Sequence, residues 1–148
     1  ELIARGWIIH LATDQRAQKY AEKFPAVETH IIESASPSGK NPFKMLSAAI
    51  ALYKGVRASK AMLNHVSPKA VVGFGGYPTV PPLVAAAGAY PTMVHEQNAV
   101  AGRANKMLAG RVTAIGKLQQ TALTNHERYH IWGRTHKLRQ PIYNVWEQ

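Results

Sequence analysis

Short apolar runs alternate with longer amphipathic segments over residues 1–115 of the chain. The apolar runs predict strands at residues 7–11, 28–33, 70–74, 92–95 and 112–115. Caps and breakers between these runs predict helices at residues 15–24, 42–64, 83–89 and 101–109, after the end of a helix at residues 1–5. Because the strands are apolar on both faces, the pattern predicts an α/β fold: a Rossmann-like parallel sheet with helices on both faces.

A glycine-rich loop follows the strand predicted at residues 70–74 and precedes a helix, where ligands of such folds bind. Gly75 and Gly76 would let backbone N–H groups approach an anion closely, with Tyr77 beside them. The loop has neither the Lys-Ser/Thr of a phosphate-binding P-loop nor G-x-G-x-x-G spacing. A tight turn that requires positive φ explains the same residues equally well.

Four consecutive polar residues, His95, Glu96, Gln97 and Asn98, end the next predicted strand. Four polar side chains in a row at the rim of a parallel sheet indicate a functional role for these residues rather than a role in packing. His95 and Glu96 suit proton transfer, and the two amides suit sugar hydroxyl groups. Glu96 as an ionised hydrogen-bond acceptor is an equal alternative, and Asn98 also suits a helix cap. One His beside one Glu gives too few ligands for a metal ion.

The long helix predicted at residues 42–64 has two apolar faces. The expected core face carries Met45, Ala49, Leu52, Val56 and Leu63. The other face carries Phe43, Leu46 and Ile50, and it continues with Lys54 and Arg57. Apolar side chains beside basic ones suit contact with an anionic membrane surface. Burial of the second face against another domain is the alternative.

Composition narrows the classes of function. The 148 residues suffice for one domain, and the absence of Cys excludes disulfides and thiolate chemistry. The net charge of +10 favours anionic partners. The sequence shows no nucleic-acid-binding motif that would assign this positive charge to nucleic acid, so we predict no nucleic-acid partner. Although His126 and His130 are spaced to share a helix face, they lack a third ligand, so we predict no metal site and no cofactor.

The segment from Val71 to Gly110 resembles the N-terminal domain of the MurG family of bacterial N-acetylglucosaminyltransferases. It carries G-G-Y-x-x-x-P from Gly75 and H-E-Q-N-x-x-x-G-x-x-N from His95, a pair of motifs specific to that family. Residues 1–69 resemble the family more loosely, in the order and length of the predicted elements. The resemblance therefore covers residues 1–115 and leaves residues 116–148 unassigned.

The resemblance implies the acceptor-binding N-terminal half of a GT-B glycosyltransferase, with its first strand missing. Such an enzyme transfers N-acetylglucosamine (GlcNAc) from UDP-GlcNAc, with inversion, to undecaprenyl-pyrophosphoryl-MurNAc-pentapeptide (lipid I), which gives lipid II. The implied partners are these two substrates, the anionic inner-membrane surface and a C-terminal nucleotide-sugar domain. The implied location is peripheral, at the cytoplasmic face of the bacterial membrane.

The resemblance also implies roles for single residues. Gly75, Gly76 and Tyr77 would line the site for the acceptor diphosphate, with His95 and Glu96 near the reacting sugars. Asn98 would contact UDP-GlcNAc, and Asn105 would support its loop. The family's G-G-T-G-G-H loop and T-G-N-P-V-R segment are absent, so we expect a fragment of such an enzyme. Another lipid-directed GT-B transferase and an inactive, membrane-adhering fragment are the alternatives.

Overall fold

The computed structural model describes residues 1–36, 41–97, 101–120 and 127–133, with side chains up to Gly116. Its strands are β1 His10–Thr13, β2 Glu28–Ile31, β3 Val71–Gly73, β4 Thr92–Glu96, β5 Ala114–Gln120 and β6 Glu127–Gly133. Its α-helices are α1 Gln18–Ala21, α2 Pro42–Val66, α3 Val80–Ala86 and α4 Arg103–Leu108. Short 3-10 helices occupy Ile3–Arg5, Gln15–Ala17 and Tyr77–Thr79. None of the helices in these ranges is long and apolar enough to span a bilayer.

The strands form two sheets. β1 pairs with β2 in parallel, and the larger sheet has the order β3-β4-β5-β6. β3, β4 and β5 are parallel, whereas β6 pairs with β5 in antiparallel orientation. The α/β fold with parallel strands that the apolar runs predict is thus confirmed. The last predicted strand, at residues 112–115, lies instead at Ala114–Gln120, and β6 falls in a segment that the sequence left unassigned.

Several helix limits differ from the prediction. Asp14 caps the first segment as expected, but the predicted helix at residues 15–24 is a 3-10 turn followed by the four-residue α1. α2 begins as predicted, because the Asn41 side chain accepts hydrogen bonds from the N–H groups of Phe43 and Lys44. It ends at Val66, two residues later than expected, with Ser67 in the left-handed region at φ 48°.

The core face of α2 was predicted correctly only in its second half. Leu63 is buried and Leu52 and Val56 are half-buried, but Met45 is 54% exposed and Ala49 is also exposed. The buried stripe begins at Gly55, where the backbone runs close to the carbonyl of Glu33 and to Pro81. Periodicity shows which positions share a helix face, but it does not show how far along the helix that face is covered.

The main hydrophobic core lies between the larger sheet and helices α3 and α4. Its buried members are Val80, Leu83, Val94, Ala104, Leu108 and Val112. Tyr77 and Leu52 are partly buried against this cluster. Since β3 and β4 are parallel neighbours, with Gly73 opposite Val94, their carboxyl ends lie at the same edge of the sheet. The core therefore holds the two loops predicted to carry function side by side.

Candidate functional site

The loop after β3 is a tight turn built on two glycines. Gly75 has φ 88° and Gly76 has φ 76°, a region that residues with a Cβ atom rarely adopt. The hydroxyl of Thr79 donates a hydrogen bond of 2.7 Å to the Gly75 carbonyl, which closes the turn onto the following 3-10 helix. The positive φ that the sequence suggested for this loop is therefore confirmed.

Glu96, at the end of β4, is buried, with only 3% of its surface exposed. Its Oε2 atom accepts a hydrogen bond of 2.9 Å from the Gly102 N–H and one of 2.8 Å from Nδ2 of Asn105. Both donors lie at the start of α4, after the loop that follows β4. The carboxylate thus ties the end of the strand to the beginning of the helix.

Asn105 connects this carboxylate to the glycine loop. Its side chain is 5% exposed and donates to Glu96, and Nδ2 also lies 3.5 Å from the carbonyl oxygen of His95. A Cβ atom built on Gly75 would lie 3.3 Å from Nδ2 and 3.5 Å from Oδ1 of Asn105. The amide of Asn105 therefore packs directly against the Gly75 backbone. One buried side chain touches both loops at the rim of the sheet.

The Asn105 Oδ1 atom is buried and has no hydrogen-bond partner among the described residues. Buried polar oxygens are usually paired, and one left unpaired costs about 1–3 kcal/mol. Both polar atoms of the amide lie close to Gly75, because a Cβ atom built there would be 3.5 Å from Oδ1 and 3.3 Å from Nδ2. The rim of the sheet thus holds a buried acceptor beside Gly75, one of the two glycines with positive φ.

The rings of Phe74 and His95 lie close to each other at the same rim of the sheet. Phe74 is exposed, and its ring centroid lies 5.8 Å from that of His95, with the planes tilted by 49°. His95 and Tyr77 are half-buried, whereas Gln97 and Gly76 are exposed. The structure therefore brings residues of the glycine loop together with His95, Glu96 and Asn105. Asn98 lies outside the described residues.

The predicted membrane-contact residues lie elsewhere, on the first half of α2. Phe43 is 80% exposed, and Leu46 and Ile50 are exposed beside it. Lys54 and Arg57, one to two turns further along, are also exposed. The second apolar face of α2 is therefore uncovered among the described residues.

One polar cluster was not predicted from the sequence. His10, Glu28 and His30 come together on β1 and β2, with their ligand atoms within 4.8 Å of one another. The sequence shows only Glu and His two apart on one predicted strand and a lone His on another. The missing information is the register of the two strands, which pairs His10 with Glu28.

Comparison with known proteins identifies the class. Residues 1–117 match the family described as the glycosyltransferase family 28 N-terminal domain. The chain belongs to this family, a family of glycosyltransferases, in agreement with the resemblance seen in the sequence.

Particular relatives narrow the class further. Each is named as a UDP-N-acetylglucosamine–N-acetylmuramyl-(pentapeptide) pyrophosphoryl-undecaprenol N-acetylglucosamine transferase. The protein of Chelativorans sp. is 57% identical over 116 residues, and that of Sinorhizobium fredii is 56% identical over the same length. Each alignment covers 78% of this chain and 31% of the relative. The chain therefore spans about a third of the length of these curated relatives.

A solved structure supports the same assignment. The crystal structure of Acinetobacter baumannii MurG matches with a TM-score of 0.67 and 25% sequence identity. The match covers 86% of this chain and 37% of that one. The chain therefore has the fold of part of a MurG protein, as its motifs indicated.

Proposed function

We propose that this chain is the acceptor-binding part of an enzyme that transfers GlcNAc from UDP-GlcNAc to lipid I, forming lipid II. The observation that carries the proposal is the contact of Asn105 with both loops, through Gly75 and through Glu96. The names of the relatives give the reaction class. UDP-GlcNAc and a C-terminal nucleotide-sugar domain are the further partners that this reaction requires.

The acceptor diphosphate would bind at the glycine loop. Gly75 and Gly76 lack side chains, so an anion can approach their backbone N–H groups closely. The chain carries a net charge of +10, which favours a doubly charged lipid diphosphate over a neutral ligand. Tyr77, anchored against the core, would form one wall of this site.

In the transfer step, the 4-hydroxyl oxygen of the acceptor sugar would attack the anomeric carbon of GlcNAc. The bond to UDP breaks, UDP leaves with the electron pair, and the hydroxyl proton passes to a base. We assign the base to His95 rather than Glu96, because Glu96 is buried and already accepts two hydrogen bonds. Glu96 would then position the loop, and Gln97 and Asn98 would bind sugar hydroxyl groups.

The first half of α2 would hold the protein at the cytoplasmic face of the membrane as a peripheral protein. Phe43, Leu46 and Ile50 would enter the interface between lipid head groups and acyl chains. Lys54 and Arg57 would attract anionic lipid, at about 1 kcal/mol for each basic residue. This location matches that of an undecaprenyl-linked acceptor.

A binding experiment tests the glycine-loop assignment with a matched control. Gly76→Ala introduces a Cβ atom at φ 76°, where only Pro78 lies within 4 Å. Gly88→Ala, at φ 84° with nothing within 4 Å, imposes similar backbone strain at the far end of α3. We expect Gly76→Ala to weaken binding of a soluble lipid I analogue at least about tenfold, because the backbone there must approach the diphosphate. Gly88→Ala should bind like the wild type. Equal binding by all three proteins would contradict the assignment.

A membrane-adhering fragment without turnover is the second candidate function, favoured by the uncovered face of α2. Adding a separately produced C-terminal domain of a relative distinguishes the two. Formation of lipid II from lipid I and UDP-GlcNAc, reduced at least about hundredfold in His95→Ala, supports the enzyme. Binding to vesicles with no lipid II formed supports the fragment.

A further inference from the structure

We propose that His10, Glu28 and His30 form a binding site for a divalent transition-metal cation such as Zn²⁺. The site lies on the sheet formed by β1 and β2, not on the sheet that carries the glycine loop. It does not depend on the proposed transferase function.

Strand register brings the three side chains to one face. β1 and β2 are parallel, with His10 opposite Glu28 and Ala12 opposite His30. Side chains two apart on a strand point to the same face, so Glu28 and His30 both lie beside His10. The two rings are nearly parallel, with an interplanar angle of 19°.

The distances between ligand atoms suit a metal ion. His10 Nδ1 lies 3.1 Å from His30 Nε2, and Glu28 Oε2 lies 3.7 Å from the first and 3.6 Å from the second. Ligands of a tetrahedral Zn²⁺ ion, with bonds of 2.0–2.2 Å, stand about 3.4 Å apart. A cation close to the plane of the three atoms would lie about 2.0 Å from each, within the normal range of bond lengths.

The contacts among the three groups favour a metal ion over an ordinary ion pair. At 3.6 and 3.7 Å, the Glu28 carboxylate is beyond hydrogen-bond distance of both ring nitrogens. It faces both histidines without hydrogen bonding to either of these nitrogens. A cation between the three atoms would give each of them a direct bond of about 2.0 Å. It would replace the hydrogen bond between His10 and His30, whose two ring nitrogens lie 3.1 Å apart.

Burial and donor type define the kind of cation. His10 and His30 are half-buried, whereas the Glu28 side chain is 52% exposed, which leaves a path from solvent and room for a water as fourth ligand. Two imidazoles and one carboxylate favour Zn²⁺, Co²⁺, Ni²⁺ or Cu²⁺ over Mg²⁺ and Ca²⁺. The metal would cross-link β1 and β2, which pair only with each other among the described strands. A metal ion that binds the folded state but not the unfolded state would raise the melting temperature.

A Zn²⁺ titration of the full chain, in competition with a chromophoric chelator, tests the site. Glu28→Gln keeps the shape of an exposed side chain and removes the charge, and His30→Asn removes one imidazole. Mutation of groups that only orient metal ligands weakens binding 10–100-fold, so loss of a ligand should cost about 100-fold or more. Co²⁺ should give the intense visible absorption of a tetrahedral site in the wild type only.

Two controls separate this site from other histidines. His65→Asn changes an exposed histidine on α2, and a triple variant, His126→Asn/His130→Asn/His136→Asn, removes those of the last segment. Both should bind Zn²⁺ as the wild type does, and circular dichroism would verify that every variant is folded. Unchanged Zn²⁺ affinity in Glu28→Gln and His30→Asn, or loss of binding in the triple variant, would overturn the proposal. Failure of the wild type to bind Zn²⁺ would also overturn it, without bearing on the transferase.

Discussion

At the scale of single residues, the side chain of Asn105 connects the two loops of the candidate site. Its amide group donates to the Glu96 carboxylate and packs against Gly75, although the three residues come from three different elements. A buried carboxylate needs such donors, because an ionised group without them is costly in a protein interior. Asn105 therefore supplies one of the two hydrogen bonds to Glu96 Oε2 and also contacts Gly75 in the neighbouring loop.

Replacing this amide by a carboxylate should destabilise the protein strongly. Asn105→Asp removes the donor at 2.8 Å and places a second negative charge beside Glu96. We expect the free energy of unfolding, measured with urea, to fall by about 3 kcal/mol or more. The same exchange at the exposed Asn64, near the end of α2, should cost at most about 1 kcal/mol. Similar losses in the two variants would contradict this role of Asn105.

Asp14 provides a prediction about pH. Burial acts to raise the pKa of this carboxyl. The pKa is nevertheless lower than the ordinary value of 3.8, because Arg16 and Ser34 donate hydrogen bonds to the carboxylate, the Arg16 charge attracts it and the Ala17 N–H also donates to it. The carboxylate therefore stabilises the folded state above the pKa of the unfolded chain. That contribution disappears as the pH falls through the lower folded-state pKa. Between pH 6 and about pH 3, Asp14→Asn should lose less stability than the wild type. Equal losses in urea unfolding would contradict the assignment.

At the scale of elements, much of the fold was predictable, but the contacts between elements were not. The Asn41 cap, the Asp14 cap and the positive φ of Gly75 depend on neighbours in the chain. The sequence predicted the two caps correctly, and it offered the positive φ as one of two interpretations of the loop. The exposure of Met45 and the meeting of His10 with His30 depend on packing and strand register. Local patterns do not encode those quantities.

Asn105 was expected only to support the loop after β4. The family resemblance gave it this role, because it is the last residue of the motif that begins with His95 and Glu96. Its contact with Gly75 arises because β3 and β4 are neighbours and end at one edge. Nothing in the spacing of the motif specifies that contact.

Gly55 is the position at which α2 packs closely against the backbone at Glu33 and against Pro81 of α3, and a substitution there tests this packing. A Cβ atom there would collide with the carbonyl of Glu33 and lie 3.1 Å from Pro81. Gly→Ala in a helix normally stabilises by about 1 kcal/mol, but here overpacking should reverse the sign and cost about 1–3 kcal/mol. Ala58→Gly, on the exposed side of the same helix, should cost about 1 kcal/mol. Thermal unfolding of both variants measures the difference, and a more stable Gly55→Ala would contradict the packing.

At the scale of the whole molecule, charge and exposed apolar surface act together. The net charge of +10 attracts the chain to anionic surfaces from any direction. Exposed apolar side chains occur in several parts of the described chain, for example at Ile8 and Val27, and those of α2 around Phe43 and Leu46 share one helix face. Charge should therefore govern the salt dependence of membrane binding, and this face should govern its orientation and depth.

Vesicle binding separates the two contributions. Phe43→Ser should weaken binding to anionic vesicles about tenfold or more, because burial of a Phe side chain contributes about 1.5–3 kcal/mol. Tyr20→Ser removes a similarly exposed aromatic ring from α1 and should have little effect. Raising the salt concentration should weaken all three proteins in parallel. Equal binding by the two variants in co-sedimentation would argue against insertion through α2.

The fit between Gly75 and Asn105 has a consequence for protein engineering. A Cβ atom at position 75 would approach the amide of Asn105 to 3.3 Å, so the amide would have to shift by a few tenths of an ångström. A designer who enlarges residue 75 should therefore vary residue 105 with it. Because Asn105 also donates to Glu96, libraries that probe the proposed acceptor site should randomise positions 75, 96 and 105 jointly.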